Sequence, residues 1–359
     1  MGHSRIAAER MARHRLARPG PADAADVVAW LGAVQAQDYG AAKWALALRM
    51  RGAAGVEPIE RAFDEGRILR THLMRPTWHF VAAGDIRWLL ELTAPRVRPS
   101  LGFGRKYYGL TDAMHRRATR VIERALEREE CLTRPELADR LGRAGIAATG
   151  VPLALITMSA ELDGVVCSGP RRGKQATTYM LLARRAPQAR SLPRDHALAE
   201  LTTRYFRSHG PATVRDYVWW SGLTTADAKR GLEIVGARSE VIDGLAYWNT
   251  GPRRPPPASR DGIHLLPVYD EYLVAYRDLV AVPRGKAFWG VLPQAVVCGG
   301  QVIGAWKVGR PKGKATLAID LGRKLSGEER RQLDRAIDRY SRFAGEPFAA
   351  TIRSGRSSR

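Results

Sequence analysis

Apolar residues recur at helical spacing through most of the first 250 positions, in short runs closed by capping residues. From Ile263 onward the period falls to two. The Arg-rich start from Arg5 to Arg18, with Glu9 as its only acid, reads as a first amphipathic helix that runs straight into patterned sequence, without the break expected of a cleaved leader. Ala22 to Val34 follows as a helix with Val27, Trp30, Leu31 and Val34 on one face, weakened at its end by Gly32. Thr77 to Val81 alternates polar and apolar residues and predicts a strand.

The same rhythm then repeats. Thr133-Arg134-Pro135-Glu136 has the form of a capping box with proline in the first turn. Its helix should end near Gly142 or Gly145, and a second apolar helix spans Val151 to Leu162, with Gly164 as its C-cap. Val165-Val166-Cys167 and Thr177 to Leu181 flank the basic turn Gly169-Pro170-Arg171-Arg172-Gly173-Lys174, which predicts a two-stranded wing. A third unit starts near His196 and breaks at His209-Gly210-Pro211. It resumes with helices capped by Thr213 and by the box Thr224/Asp227. Gly251 to Pro257 is a proline-rich linker. Beyond it, alternating runs separated by glycines suggest a small antiparallel barrel or sheet, closed by a helix from Ser326 to about Phe343, with a frayed tail from Ser354 to Arg359.

Length and composition narrow the classes. A chain of 359 residues suggests two to four units, and 45% hydrophobic residues exclude global disorder. Cys131, Cys167 and Cys298 lie far apart, so neither a disulfide framework nor a zinc site is expected, and a reducing bacterial cytoplasm fits. No apolar run approaches the roughly 20 residues of a membrane span. No phosphate-binding glycine loop, serine elbow or His-Glu-x-x-His element occurs, and no metal or cofactor is expected. What changes the picture is charge: 58 Lys+Arg against 36 Asp+Glu leave +22, the footprint of a protein that neutralises nucleic-acid phosphates.

Within that frame Gln35-Ala36-Gln37 stands out. On a helix, residues i and i+2 point roughly 200° apart, whereas on an extended segment they face one side. Gly32 lets the pair leave helical geometry with Ala36 directed inward, and two carboxamides on one side can hold a single water. The competing reading is two ordinary surface glutamines near a helix end. In Arg70 to Val81, residues Arg70, His72, Arg75 and His79 could face DNA, against the alternative of a half-buried wing strand. Arg171, Arg172 and Lys174 are the best local phosphate contacts, because a turn tip projects its charges outward. Trp219-Trp220 reads as core, and Asp270-Glu271 as a structural turn in preference to general-base or metal chemistry, because no second acidic cluster accompanies it.

Five segments in order resemble the winged-helix DNA glycosylases of the AlkZ/YcaQ family: Leu31 to Asp38, Met74 to His79, Gly169 to Lys174, Leu265 to Leu273, and Gly304-Ala305-Trp306. The similarity covers nearly the whole chain. It implies an α+β fold, mainly α, of tandem winged-helix units against a C-terminal antiparallel β-barrel. The units expected are residues 1–110 with the Gln-Ala-Gln motif, 111–192 with the basic wing, a third helix-turn-helix unit over 193–252, and the barrel with its closing helix over 253–359. The family's catalytic motif, Gln-apolar-Gln in the AlkZ-like branch, falls on Gln35-Ala36-Gln37. That branch implies removal of bulky alkylated purines, interstrand crosslinks included.

Chemistry sharpens this expectation. A glutamine is no base near neutral pH, so the pair can only position water for attack at the sugar C1′. That suffices where an N7- or N3-alkylated purine already carries positive charge and departs without an acid. Asp38 is the nearest carboxylate in sequence and could stabilise an oxocarbenium-like sugar; the alternative is a helix cap. A bulky adduct further suggests attack from the groove with the nucleotide largely in the duplex, an idea that a deep apolar pocket beside Gln37 would contradict. The expected enzyme is a monomer acting on double-stranded DNA, and monofunctional. The rivals are a non-catalytic winged-helix regulator, in which both glutamines would be replaceable, and a protein that sequesters an alkylating drug.

Overall fold

The computed structural model describes residues 2–52, 55–173, 177–251, 262–277 and 294–355. The linker expected over Gly251 to Pro257 falls outside them beyond Gly251, as do Lys174 and the last four residues of the tail.

Helices Gly2–Arg13, Ala24–Leu31, Tyr39–Arg49 and Glu57–Asp64 precede the hairpin Ile68–Leu73/Thr77–Ala82. The second of these is shorter than its apolar pattern suggested. Asp23 caps its start by accepting from Ala25 N–H, and Gly32, at φ 86°, ends it. Val34 therefore leaves the helix and pairs with Phe80 as the outer strand Val34–Gln35 of a three-stranded sheet. Only a residue without Cβ turns so sharply at no steric cost.

The next segment runs helix Asp112–Arg128, strand Leu132–Thr133, helices Arg134–Arg143 and Gly150–Leu162, then strands Val166–Ser168 and Thr178–Leu181. The Thr133/Glu136 capping box forms as expected, and the last two strands pair antiparallel around the basic turn. Helices Arg194–Ser208, Val214–Ser221 and Thr225–Ile234 follow, the latter two begun by capping boxes at Thr213/Asp216 and Thr224/Asp227. The hairpin Arg238–Ile242/Leu245–Asn249 was not anticipated. Its signal is Asp243-Gly244, whose φ values of 50° and 78° give the left-handed turn that suits strand twist.

The C-terminal strands correct the expected barrel. Ile263–Leu266, Ala295–Cys298, Gln301–Gly309, Thr316–Leu321 and Ala349–Ser354 form a five-stranded sheet, with no closed barrel among the described residues, and its last pair is parallel. The helix Gly327–Ala344, begun by a Ser326/Glu329 box, is the crossover that a parallel return requires. That helix and Tyr39–Arg49 together cover one face, so closure is not needed to bury it. Trp44 stands between them, 5.1 Å from Tyr340 and 5.0 Å from Phe343, and its indole donates to Leu265 O at 2.7 Å. The N-terminal helices and the C-terminal sheet consequently share one core.

Candidate active site

The strand Val34–Gln35 places the glutamines at a sheet edge. Gln35 lies opposite His79, and Ala36 N–H donates to Trp78 O at 2.7 Å with its methyl fully buried. The strand ends at Gln35, and Gln37 follows in a bend just past it. Gln35 is 8% exposed, and Gln37 is open to solvent.

Both carboxamides are held by protein donors. Arg75 Nη2 donates to Gln35 Oε1 at 3.1 Å, and Trp78 N–H donates to Gln37 Oε1 at 3.3 Å. These donors fix which end of each amide is oxygen. Arg75 rides on the tight turn Met74-Arg75-Pro76, where Met74 has φ 59°. Gly222 backs the turn so closely that a Cβ there would collide with the Met74 carbonyl. Arg70 ties the segment from the other side, donating to Ala36 O at 3.0 Å and to Gln37 O at 3.4 Å, with its guanidinium 4.3 Å from the Trp78 ring centre.

Beneath Gln35 lies a carboxylate that the sequence had suggested was only part of a turn. Glu271 is fully buried; its Oε1 accepts Gln35 N–H at 2.7 Å, its Oε2 accepts the Trp220 indole N–H at 2.9 Å, and His209 Nε2 is 3.5 Å away. Burial pushes this carboxyl up. His209, the Gln35 N–H and Arg75 outweigh it and hold the group below the usual range, so it stays ionised. Burial pulls His209 down, and burial with the nearby Arg75 pulls His79 down to about 3. A second buried carboxylate, Glu161, accepts both the backbone N–H (3.0 Å) and Nδ1 (2.5 Å) of His72, whose ring lies 4.0 Å from Trp78.

The remaining candidates separate. Asp38 accepts from Ala41 N–H and caps the helix Tyr39–Arg49, matching its alternative reading. His79 is a correction: it is paired with Gln35 across the sheet and so shares its face, beside Arg75 and Glu271, but at 0% exposure its ring meets no DNA in this arrangement. Arg171 is half-buried and engaged by Asp64 (2.6 Å) and Glu60 (2.8 Å), whereas Arg172 is exposed and paired with Glu136 at 2.6 Å. Lys174 lies outside the described residues. Asp270 is taken up by a bidentate pair with buried Arg49, at 2.9 and 2.7 Å, and by capping Tyr272 N–H at 2.9 Å. Trp220 is core, as read; Trp219 is 48% exposed, with Arg75 5.8 Å from its ring centre.

Four of the cavities among the described residues are lined around Trp44/Arg339, Val235/Asn249, Met50/Arg342 and Thr213/Trp248, and neither glutamine lines these. Among the described residues no group of three His, Cys, Asp or Glu side chains could hold a metal ion, and no helix is long and apolar enough to cross a membrane.

Comparison with known proteins gives consistent matches. The family model described as "DNA glycosylase AlkZ-like" matches residues 28–343. The chain is 26% identical over 334 residues to an interstrand DNA cross-link repair glycosylase of Streptomyces sahachiroi, covering 84% of this chain and 87% of that protein. Its fold matches that of the Streptomyces sahachiroi DNA glycosylase AlkZ with a TM-score of 0.79 at 22% identity, over 98% of this chain and 100% of the other.

Proposed function

Because the chain belongs to the AlkZ-like DNA glycosylase family, and is thus a hydrolase of N-glycosyl bonds in DNA, we propose that Gln35 and Gln37 hold the water that attacks C1′ of a cationic N7- or N3-alkylated purine nucleotide. The observation that carries this is the double anchoring of the carboxamides. Each oxygen spends one lone pair on a protein donor, Arg75 or Trp78, and keeps the second for a hydrogen of water. The pair is oriented before substrate arrives, so little reorganisation remains for the reaction itself.

Neither amide takes a proton at neutral pH, and the nearby carboxylates are engaged, Asp38 as a helix cap and Glu271 below Gln35. Such a site suits a leaving group that departs as a neutral base from a cationic lesion without protonation. Once the bond breaks, the sugar cation is captured by the held water, whose proton passes to solvent. The exposure of Gln37 and its position beside a sheet edge favour approach from a groove, with the nucleotide largely in the duplex. That geometry accommodates a bulky adduct, and the crosslink repair in the relative's name extends naturally to this chain.

Double-stranded DNA would lie against Arg70 and the exposed Arg172 of the basic turn, bound by a monomer, while Arg171, paired with Asp64 and Glu60, braces the turn and Arg75 holds Gln35. Residues 1–110 and 111–192 then act as winged-helix units and 193–252 as a third helix-turn-helix unit, braced by the C-terminal sheet whose strands lie within 253–359. A lyase step would need a free amine. The nearest in sequence, Lys43, is bound to Glu60 at 2.5 Å, which supports simple hydrolysis. Single-turnover release of one N7-alkylguanine from duplex DNA tests the reading: Gln37→Ala should slow release by tens of fold while DNA affinity holds. Unchanged release would make the pair structural.

A further inference from the structure

Residues 102–111, Gly-Phe-Gly-Arg-Lys-Tyr-Tyr-Gly-Leu-Thr, contain three aromatics and two cations but no acid. The short helix Gly102–Tyr107 within them buries none of its residues. Phe103 is 84% exposed, Tyr107 73% and Tyr108 41%. Three large rings in water on one short segment are unusual for a surface with no partner.

The segment is nonetheless firmly seated. Leu101 on one side belongs to the core around Trp88 and Tyr205, and Leu110 on the other belongs to the core of Ile122 and Leu137. Gly104 meets Leu155 so closely that a Cβ would stand 3.2 Å from its methyl, which sets the helix flush on the helix Gly150–Leu162. Both ends and the inner face are therefore fixed, and the rings are held outward by that seating. Phe103 and Tyr107 lie nearly parallel (21°, centres 6.4 Å apart), and Tyr108 stands edge-on to Tyr107 at 4.9 Å. A Cβ at Gly102 or Gly109 would meet open space, so nothing crowds the rings from either flank.

We propose that Phe103, Tyr107 and Tyr108 form a stacking platform for unpaired bases of a DNA strand, with Lys106 and Arg105 meeting its phosphates. Flat aromatic faces add nothing to a phosphate contact, yet they stack on any base freed from its partner, and interleaved cations suit the backbone that carries it. Charge complementarity selects nucleic acid over a protein partner: the segment has no acid, Arg105 pairs with Asp112 just beyond it, and the chain carries +22. The inference rests on the family's DNA substrate and is independent of the glutamine mechanism. The platform sits on the helix that carries Glu161 beneath His72, so it would engage DNA flanking the site.

Fluorescence anisotropy tests it with a lesion-free fluorescein-labelled duplex and the same duplex carrying a short single-stranded gap. Wild type should bind the gapped DNA about tenfold more tightly. Phe103→Ala/Tyr107→Ala/Tyr108→Ala should lose that preference while binding intact duplex and melting as wild type does; Tyr107→Phe/Tyr108→Phe should keep it. Equal binding of both DNAs by wild type, or a preference that survives ring removal, overturns the proposal. So does a wild type that self-associates in sedimentation while the triple variant stays monomeric with unaltered DNA binding, because the rings would then serve a protein interface.

Discussion

Glu271→Gln is the most direct probe of how the glutamine segment is held. The substitution keeps volume and removes charge. In the native protein each carboxylate oxygen has its own donor, Gln35 N–H on one and the Trp220 indole on the other. A carboxamide offers a single oxygen, so one of these buried N–H groups must face an NH2. An unsatisfied buried donor costs about 1–3 kcal/mol, and the surviving bond falls from charge-assisted to neutral at roughly 1 kcal/mol more. The expected loss is therefore about 2–4 kcal/mol of stability, read as a lowered urea midpoint at constant slope.

The kinetic consequence follows from position. Released from its anchor, the Gln35 backbone shifts, and a misplacement on the order of 1 Å costs about 100-fold. Single-turnover base release should fall about 10- to 100-fold, with DNA affinity within about twofold. Trp220→Phe supplies the control. It deletes the second donor along with part of a fully buried ring, so Glu271→Gln should cost less in the Trp220→Phe background than in wild type, and the coupling should exceed about 1 kcal/mol. A folded Glu271→Gln protein with wild-type base release would refute the reasoning, because the carboxylate would then not be what positions Gln35.

The basic turn and the buried histidines give two further tests. Arg172→Ala should lower the slope of log affinity against log salt by about one, whereas Arg171→Ala should scarcely move it, because Asp64 and Glu60 already neutralise that guanidinium; unchanged slopes in both would remove the turn from the DNA interface. His79, held at about 3 by burial, stays neutral while its unfolded counterpart takes a proton below about 6.5. Its contribution is full above that unfolded value and is lost as pH falls toward the folded one. Unfolding free energy should drop about 1.2 kcal/mol between pH 6 and 5 from this residue alone, and His79→Asn should flatten the profile measured by urea titration at each pH.

Local signals carried much of the fold. Capping boxes at Thr133, Thr213, Thr224 and Ser326 start helices where their spacing demanded, because the box satisfies donors within one turn and needs no distant partner. Sheet closure was not readable this way. Strand alternation reports that one face is buried, and here the cover comes from Trp44 some 200 residues upstream as well as from the closing helix. The site divides similarly. Gly32 announced that Gln35 and Gln37 leave the helix, but Glu271 reaches Gln35 across 236 positions. A carboxylate embedded in Leu265 to Leu273 was the available hint, since an acid in so apolar a run must find donors when buried. Basic composition was the bluntest guide: Arg10 and Arg49 count toward +22, yet each is 1% exposed and paired with Asp216 or Asp270 inside the protein.

That distribution of charge bears on the proposed chemistry. A molecule with a large positive excess draws in phosphates, but the same excess at the reacting centre would oppose a cationic lesion and a sugar passing through an oxocarbenium-like state. Arg75 stands at the proposed centre, poorly solvated, with its guanidinium on the Gln35 carboxamide. Glu271 lies just beneath, ionised in spite of full burial, and the attraction between it and Arg75 acts on both groups. At low effective dielectric two opposite charges so placed largely cancel at a point beyond them. The glutamine pair can then be held rigidly by a cation without presenting that cation's field to the substrate. Glu271 thus answers two requirements at once, anchoring the Gln35 backbone and compensating Arg75. The second should survive where the first is spared: Arg75→Gln, which keeps a donor for Gln35 Oε1, should slow base release from a cationic lesion far less than Glu271→Gln does.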